Sequence, residues 1–265
     1  MKRMVLASPY LQVIWAALSL LIAIHARADV HSLPKFRRIS AIGQVKRGPA
    51  DGMRYRVRLS YKICQQSEII SPEHLIIEKF NRALLRKERR AFLSQLRTWE
   101  FVPKSKERSI ATLTNAASCN SLASGSIGMQ FAFEEIYPYE NPRHFVRTAS
   151  FLVGNRSASK LSDFFNRGRF QEALEIISEF ARADLRTQLL ADGEERGVSA
   201  WIDRGTVPLE NSFDRFVIAR EGLKILFEQY QVANYANGIR EIVVPWSILR
   251  PIISNGFSLS ISDRD

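Results

Sequence analysis

From Met53 to Ile63 apolar and polar residues alternate strictly. Met53, Tyr55, Val57, Leu59, Tyr61 and Ile63 fall on one side, and Arg54, Arg56, Arg58, Ser60 and Lys62 on the other. Period two is the signature of a half-buried strand, here with four cations on its polar side. Ser71-Pro72-Glu73 then supplies a capping hydroxyl, a proline at the first helical position and an acid in the first turn, all favoured by the unpaired amides at a helix start. Ile76, Ile77, Phe80, Leu84, Leu85, Phe92 and Leu96 follow at helical spacing, and Arg82, Arg86, Lys87, Arg89, Arg90 and Arg97 crowd the remaining surface.

Strands are expected near Ser109–Leu113, Ile127–Ile136 and Phe145–Val153, with a small-residue loop over Cys119–Gly125. Two prolines in Tyr137–His144 mark a turn. Leu161–Phe165 reads as a short turn or helix. From Gly168 a second amphipathic helix carries Phe170, Leu174, Ile177, Ala181, Leu185 and Leu189, ending at Gly193 and Gly197. Phe213–Ala219, Leu223–Phe227 and Glu241–Val244 read as strands, before a short helix over Trp246–Ile253. This order predicts an α+β protein, with antiparallel or mixed sheets packed against two long amphipathic helices.

The N-terminus adds a compartment. Lys2 and Arg3, an apolar run from Leu11 to Ile24, and Ala26-Arg27-Ala28 have the layout of a cleavable signal peptide. The run is shorter than the ~20 residues that span hydrocarbon. The expected organisation is a leader over 1–28, an α+β unit over 29–155 and a second unit over 156–265, with the protein periplasmic or secreted. In that oxidising space Cys64 and Cys119, the two cysteines of the chain, are expected to form a disulfide, with two separate buried thiols as the alternative.

The chain carries a net charge of +11. The leader holds three of its 38 basic and none of its 27 acidic residues, so cleavage leaves +8. Outside the cytoplasm such a surface meets wall polymers, lipid head groups and acidic proteins rather than nucleic acid. Arg54, Arg56, Arg58, Lys62, Arg86 and Arg90 are the candidate binding cations.

Catalytic signals are sparse. His31, His74 and His144 lack metal-ligand spacing, and GxSxG, GxxxxGK[ST] and strand-linked GxGxxG motifs are absent. No catalytic residue, cofactor or metal is expected. His144, in the proline-bearing turn, is the histidine singled out as a candidate. Glu134-Glu135 would supply acid and base for glycan hydrolysis only if neighbouring strand residues shared a face, which alternation forbids.

The C-terminal third holds Phe213-Asp214-Arg215-Phe216-Val217-Ile218-Ala219-Arg220-Glu221-Gly222-Leu223, then Tyr230-Gln231-Val232-Ala233-Asn234-Tyr235-Ala236-Asn237-Gly238, then Val244-Pro245-Trp246-Ser247-Ile248-Leu249. These stretches resemble the "EGL", "YxVAxYAxG" and "hPaSxL" segments of the RsiV-like extracytoplasmic domain family, over about residues 159–253. Leu161-Ser162-Asp163-Phe164-Phe165 resembles the family's "LxDLF", and the part before residue 155 resembles its accompanying α+β unit more weakly. Gly222 and Gly238 read as turn residues. Tyr235 and the loop Ala233–Gly238 are a candidate contact surface. The resemblance implies a non-catalytic extracytoplasmic binding or sensing module; the short leader adds the expectation of no permanent membrane anchor, and the basic charge that of a wall polymer such as anionic peptidoglycan, or another envelope protein, as partner. A lysozyme-binding or inhibitory role is the alternative, and an envelope-glycan hydrolase using Glu135 or His144 the third.

Overall fold

The computed structural model describes residues 35–46, 54–65, 72–98, 110–121, 126–137, 140–152, 154–192, 198–254 and 257. The expected leader lies outside them. The fold is α+β, and it begins with two long strands, β1 (Lys35–Lys46) and β2 (Arg54–Gln65), paired antiparallel. Helix α1 (Pro72–Thr98) then carries the chain to β3 (Ile110–Ser121), which runs parallel to β2. A parallel neighbour cannot be reached by a tight turn, so the helix is the crossover. Strands β4 (Ile127–Ile136) and β5 (Arg143–Phe151) complete a mixed sheet in the order β1-β2-β3-β4-β5.

Helix α1 covers one face of this sheet. Ile77, Leu84, Phe92 and Leu96 share a core with Leu59, Tyr61, Leu113, Met129, Phe131, Phe133 and Phe145. The spacing expected from the sequence therefore holds for the helix and, at Leu59 and Tyr61, for β2, whose expected first residue Met53 lies outside the described residues.

A second layer follows. A 3-10 turn (Leu161–Phe164), helices α2 (Phe170–Ala191) and α3 (Val198–Gly205), and a further 3-10 turn (Glu210–Phe213) precede the antiparallel sheet β6 (Phe216–Ile218), β7 (Gly222–Phe227) and β8 (Arg240–Pro245). Helix α4 (Trp246–Leu249) closes it. Leu174, Ile177, Ala181, Leu185 and Leu189 of α2 meet Ile218, Leu223, Ile225, Phe227, Ile242 and Val244 in one core.

Several boundaries differ from the sequence reading. Strand β3 runs to Ser121 rather than stopping at Leu113, because Cys119 pairs with Met129 and Asn120 with Gly128 across the ladder. Residues 210–213 form the 3-10 turn, which shortens the strand expected from Phe213 to three residues. Gly238 has φ +66, as a turn glycine should. Gly222 instead opens β7, where a Cβ would lie 2.3 Å from the Val244 carbonyl oxygen. Its role is close strand packing rather than a special turn.

Among the described residues, the second layer packs on the face of the first sheet away from α1, over β4 and β5. A Cβ on Gly128 would lie 2.1 Å from the backbone oxygen of Ile218. Ser150 Oγ accepts a 3.1 Å hydrogen bond from the Ile218 amide, and Val146, Val217 and Leu226 form a small core beside it.

Candidate functional site

The register locates the basic strand. Leu59 and Tyr61 are buried under α1 while Arg58 is exposed, so Arg58 lies on the face that α1 does not cover. On β1, Lys46 pairs with Arg54, Gln44 with Arg56 and Arg38 with Lys62. Residues directly opposite in an antiparallel pair share a face, and like charges there are destabilising. The register thus sets basic residue opposite basic residue at Lys46–Arg54 and Arg38–Lys62.

Three strand steps lead from this surface to the candidate loop. Arg58 pairs with Thr112 and Ser60 with Thr114; Thr112 in turn pairs with Ile136 and Thr114 with Glu134; Glu134 pairs with His144. Thr114 donates to Glu134 at 3.4 Å. At strand spacing the width from β2 to β5 is roughly 14 Å.

The far rim is the turn after β7. Gln229 accepts from the His144 amide at 3.4 Å and donates to the Tyr235 carbonyl at 3.4 Å, while the Tyr235 hydroxyl donates to the Pro142 carbonyl. Gln229 thus bridges His144 and Tyr235, 91 positions apart in sequence, at the start of β5.

Arg86 and Arg90 do not join them. Both are exposed on α1, across the sheet from Arg58. An amphipathic helix and an amphipathic strand that share a core must turn their charged sides in opposite directions. The single basic surface suggested by composition is therefore two surfaces.

Against α1 lies an ionic cluster, built on one buried carboxylate, that charge patterning did not single out. Glu88 of α1 is buried and receives Arg147 at 2.9 and 3.5 Å, and Arg147 also reaches Glu228 at 3.4 Å and stacks on Phe145. Arg215 meets Glu228 at 3.0 Å. The network ties α1, the edge strand β5 and the second layer together. Glu135, also buried, touches Arg143 at 3.5 Å.

Burial pushes the Glu135 carboxyl above its ordinary value, Arg143 opposes the shift and Glu88 adds to it. Burial likewise pushes the Tyr61 phenol up to about 12. A raised carboxylate means that the folded protein holds its proton more tightly than the unfolded chain does. Stability then falls as pH rises above 4.5, the unshifted value, and levels off above the raised one. Glu135→Gln is accordingly expected to gain stability relative to the parent across that window. Paired urea titrations at pH 4 and pH 7 check this.

Glu135 lies on the α1 side of the sheet, and His144, paired with Glu134, on the other. The two residues of the hydrolase reading are thus held apart. No described helix is long and apolar enough to cross a membrane.

These two layers, with the glycine contact and the tyrosine turn, can be compared with known proteins. Residues 162–247 match the DUF3298 family model, described as a protein of unknown function. The DUF3298 segment contains α2, α3, the second sheet and the turn carrying Tyr230 and Tyr235, and falls within the span of the sequence resemblance. A DUF3298 family member from Bacteroides fragilis is similar over 87% of this chain and 98% of its own, at TM-score 0.58 and 13% identity. A DUF3298 family protein from Pseudomonas aeruginosa PAO1 is similar over 85% and 97%, at TM-score 0.54 and 13% identity. The likeness extends well beyond the DUF3298 segment, so the first layer belongs to the shared fold as well. No curated protein matches the chain.

Proposed function

We propose that the protein is an exported, non-catalytic, RsiV-like binding module that holds an anionic component of the cell envelope, with anionic peptidoglycan as the ligand. The observation that carries this reading is the β1–β2 register: Lys46 opposite Arg54 and Arg38 opposite Lys62, beside exposed Arg58. Like charges in opposed positions cost folding energy, and an anionic polymer laid over them would offset it.

Export and the Cys64–Cys119 disulfide belong to the same proposal. The two cysteines lie on parallel neighbours, four residues beyond Ser60 and five beyond Thr114, which are themselves paired. No described cysteine is free.

Cosedimentation with purified wall sacculi tests the reading. Binding is expected at low ionic strength and release at high, because charges on an open face are screened within ~10 Å at 0.1 M salt. No binding at any salt concentration would remove it. A parallel titration of lysozyme activity distinguishes the lysozyme-binding alternative, which expects inhibition.

A further inference from the structure

Tyr230 has φ +67, a left-handed backbone that no other non-glycine residue among those described adopts. Its position explains the angle. The Gln231 amide donates to the Glu228 carbonyl at 3.0 Å, closing a turn in which Tyr230 takes the third place, where positive φ makes glycine the usual residue. Gln231 holds the turn through its side chain, accepting from the Glu228 amide at 3.2 Å and donating to the carbonyls of Gly205 at 3.2 Å and Ser212 at 3.0 Å. The strain therefore persists because its surroundings over-determine it.

What the fold gains from this tyrosine is little, since the residue is 59% exposed. It is the one aromatic among the exposed large hydrophobic residues described. Its ring lies 6.0 Å from that of Tyr235 and 6.4 Å from that of Trp201, tilted by 38° and 34°. Arg204 lies 4.7 Å above Trp201 and ends the row with a cation. At the other end Tyr235 bonds to Pro142, beside the strand path that leads through Ile136 and Thr112 to Arg58.

We infer that Trp201, Tyr230 and Tyr235 form a stacking platform for the sugar rings of a glycan strand, whose acidic substituents then face the β1–β2 cations. This rests on the envelope-binding reading and specifies its ligand as a sugar polymer rather than a lipid or an acidic protein. Flat rings with polar tips suit a pyranose, which offers an apolar face and a hydroxylated rim. Aromatic rings beside cations would also suit single-stranded nucleic acid; export decides against that, and the experiment includes it.

The test is a tryptophan-fluorescence titration of the full chain with the neutral hexamer of β-1,4-linked N-acetylglucosamine. Tyr230→Phe keeps the ring and is expected to bind within about twofold of the parent. Tyr230→Gly relieves the backbone and removes the ring; it is expected to melt no lower than the parent and to bind about tenfold more weakly. Polyglutamate reports the cationic face separately, and its salt-sensitive binding is expected to survive Tyr230→Gly. Absence of hexamer binding by the parent overturns the platform even where polyglutamate still binds. It is equally overturned if Tyr230→Gly binds the hexamer as the parent does, if that variant melts lower, or if oligothymidylate outcompetes the hexamer.

Discussion

Arg147→Met is expected to lower the unfolding free energy by about 3 kcal/mol. Its guanidinium is the described ion-pair partner of Glu88, whose side chain is 4% exposed between α1 and the sheet. Removing the cation leaves that carboxylate in a place where water cannot solvate it. Breaking a buried pair from one side costs about 3–5 kcal/mol, and the partial exposure of Arg147, 34%, sets the lower end of that range. The same cation bridges to Glu228, so the loss should also loosen the second layer from α1 and β5. Replacing both members, Glu88→Met with Arg147→Met, is expected to recover most of the loss, because two apolar side chains of similar volume need no counter-charge. Urea unfolding of the two single variants and the double variant measures this. Additive costs would contradict it.

Gly128→Ala should cost a similar amount, about 3 kcal/mol, from a single methyl group. The added carbon would meet the Ile218 carbonyl oxygen at 2.1 Å and Val217 Cγ1 at 2.6 Å. A backbone carbonyl cannot rotate away as a long side chain can. Strand β6 must therefore retreat from β4, and the Ser150–Ile218 hydrogen bond and the packing of Val146, Val217 and Leu226 suffer together. Gly154→Ala is the control: Gly154 has φ +80, but nothing lies within 4 Å of an added Cβ, so only a backbone cost of about 1 kcal/mol is expected. Equal destabilisation by the two substitutions would show that the approach of the layers is not what Gly128 protects.

Much of the fold was legible because each long element buries one side. The alternation from Arg58 to Tyr61 and the helical spacing from Ile76 to Leu96 both hold, since both patterns are set by the same core. Strand β1 was missed. In Lys35-Phe36-Arg37-Arg38-Ile39-Ser40-Ala41-Ile42-Gly43-Gln44-Val45-Lys46 the alternation is broken by adjacent cations and small residues, and only its ladder with β2 defines it. Helix α3 was missed because Val198–Gly205 is only two turns long.

The site was half legible. Four cations of β2 stand out in the sequence, but the Lys46 and Arg38 positions opposite two of them are a matter of register. Arg86 and Arg90 were grouped with β2 on charge alone, and the shared core separates them. Glu88 is hidden within Arg86-Lys87-Glu88-Arg89-Arg90, where it looks like one more solvated charge; only its place on the buried stripe of α1, four residues before Phe92, hints at its role. Tyr230 occupies a glycine-type turn position that no local pattern announces.

The central claim is that one face of the first sheet, and not net charge, holds the anionic partner. Two double charge reversals test it with equal change in total charge: Arg56→Glu with Arg58→Glu on the sheet, and Arg86→Glu with Arg90→Glu on α1. Binding to wall sacculi at low salt is predicted to be lost in the sheet variant and kept in the helix variant. Equal loss in both would contradict the account.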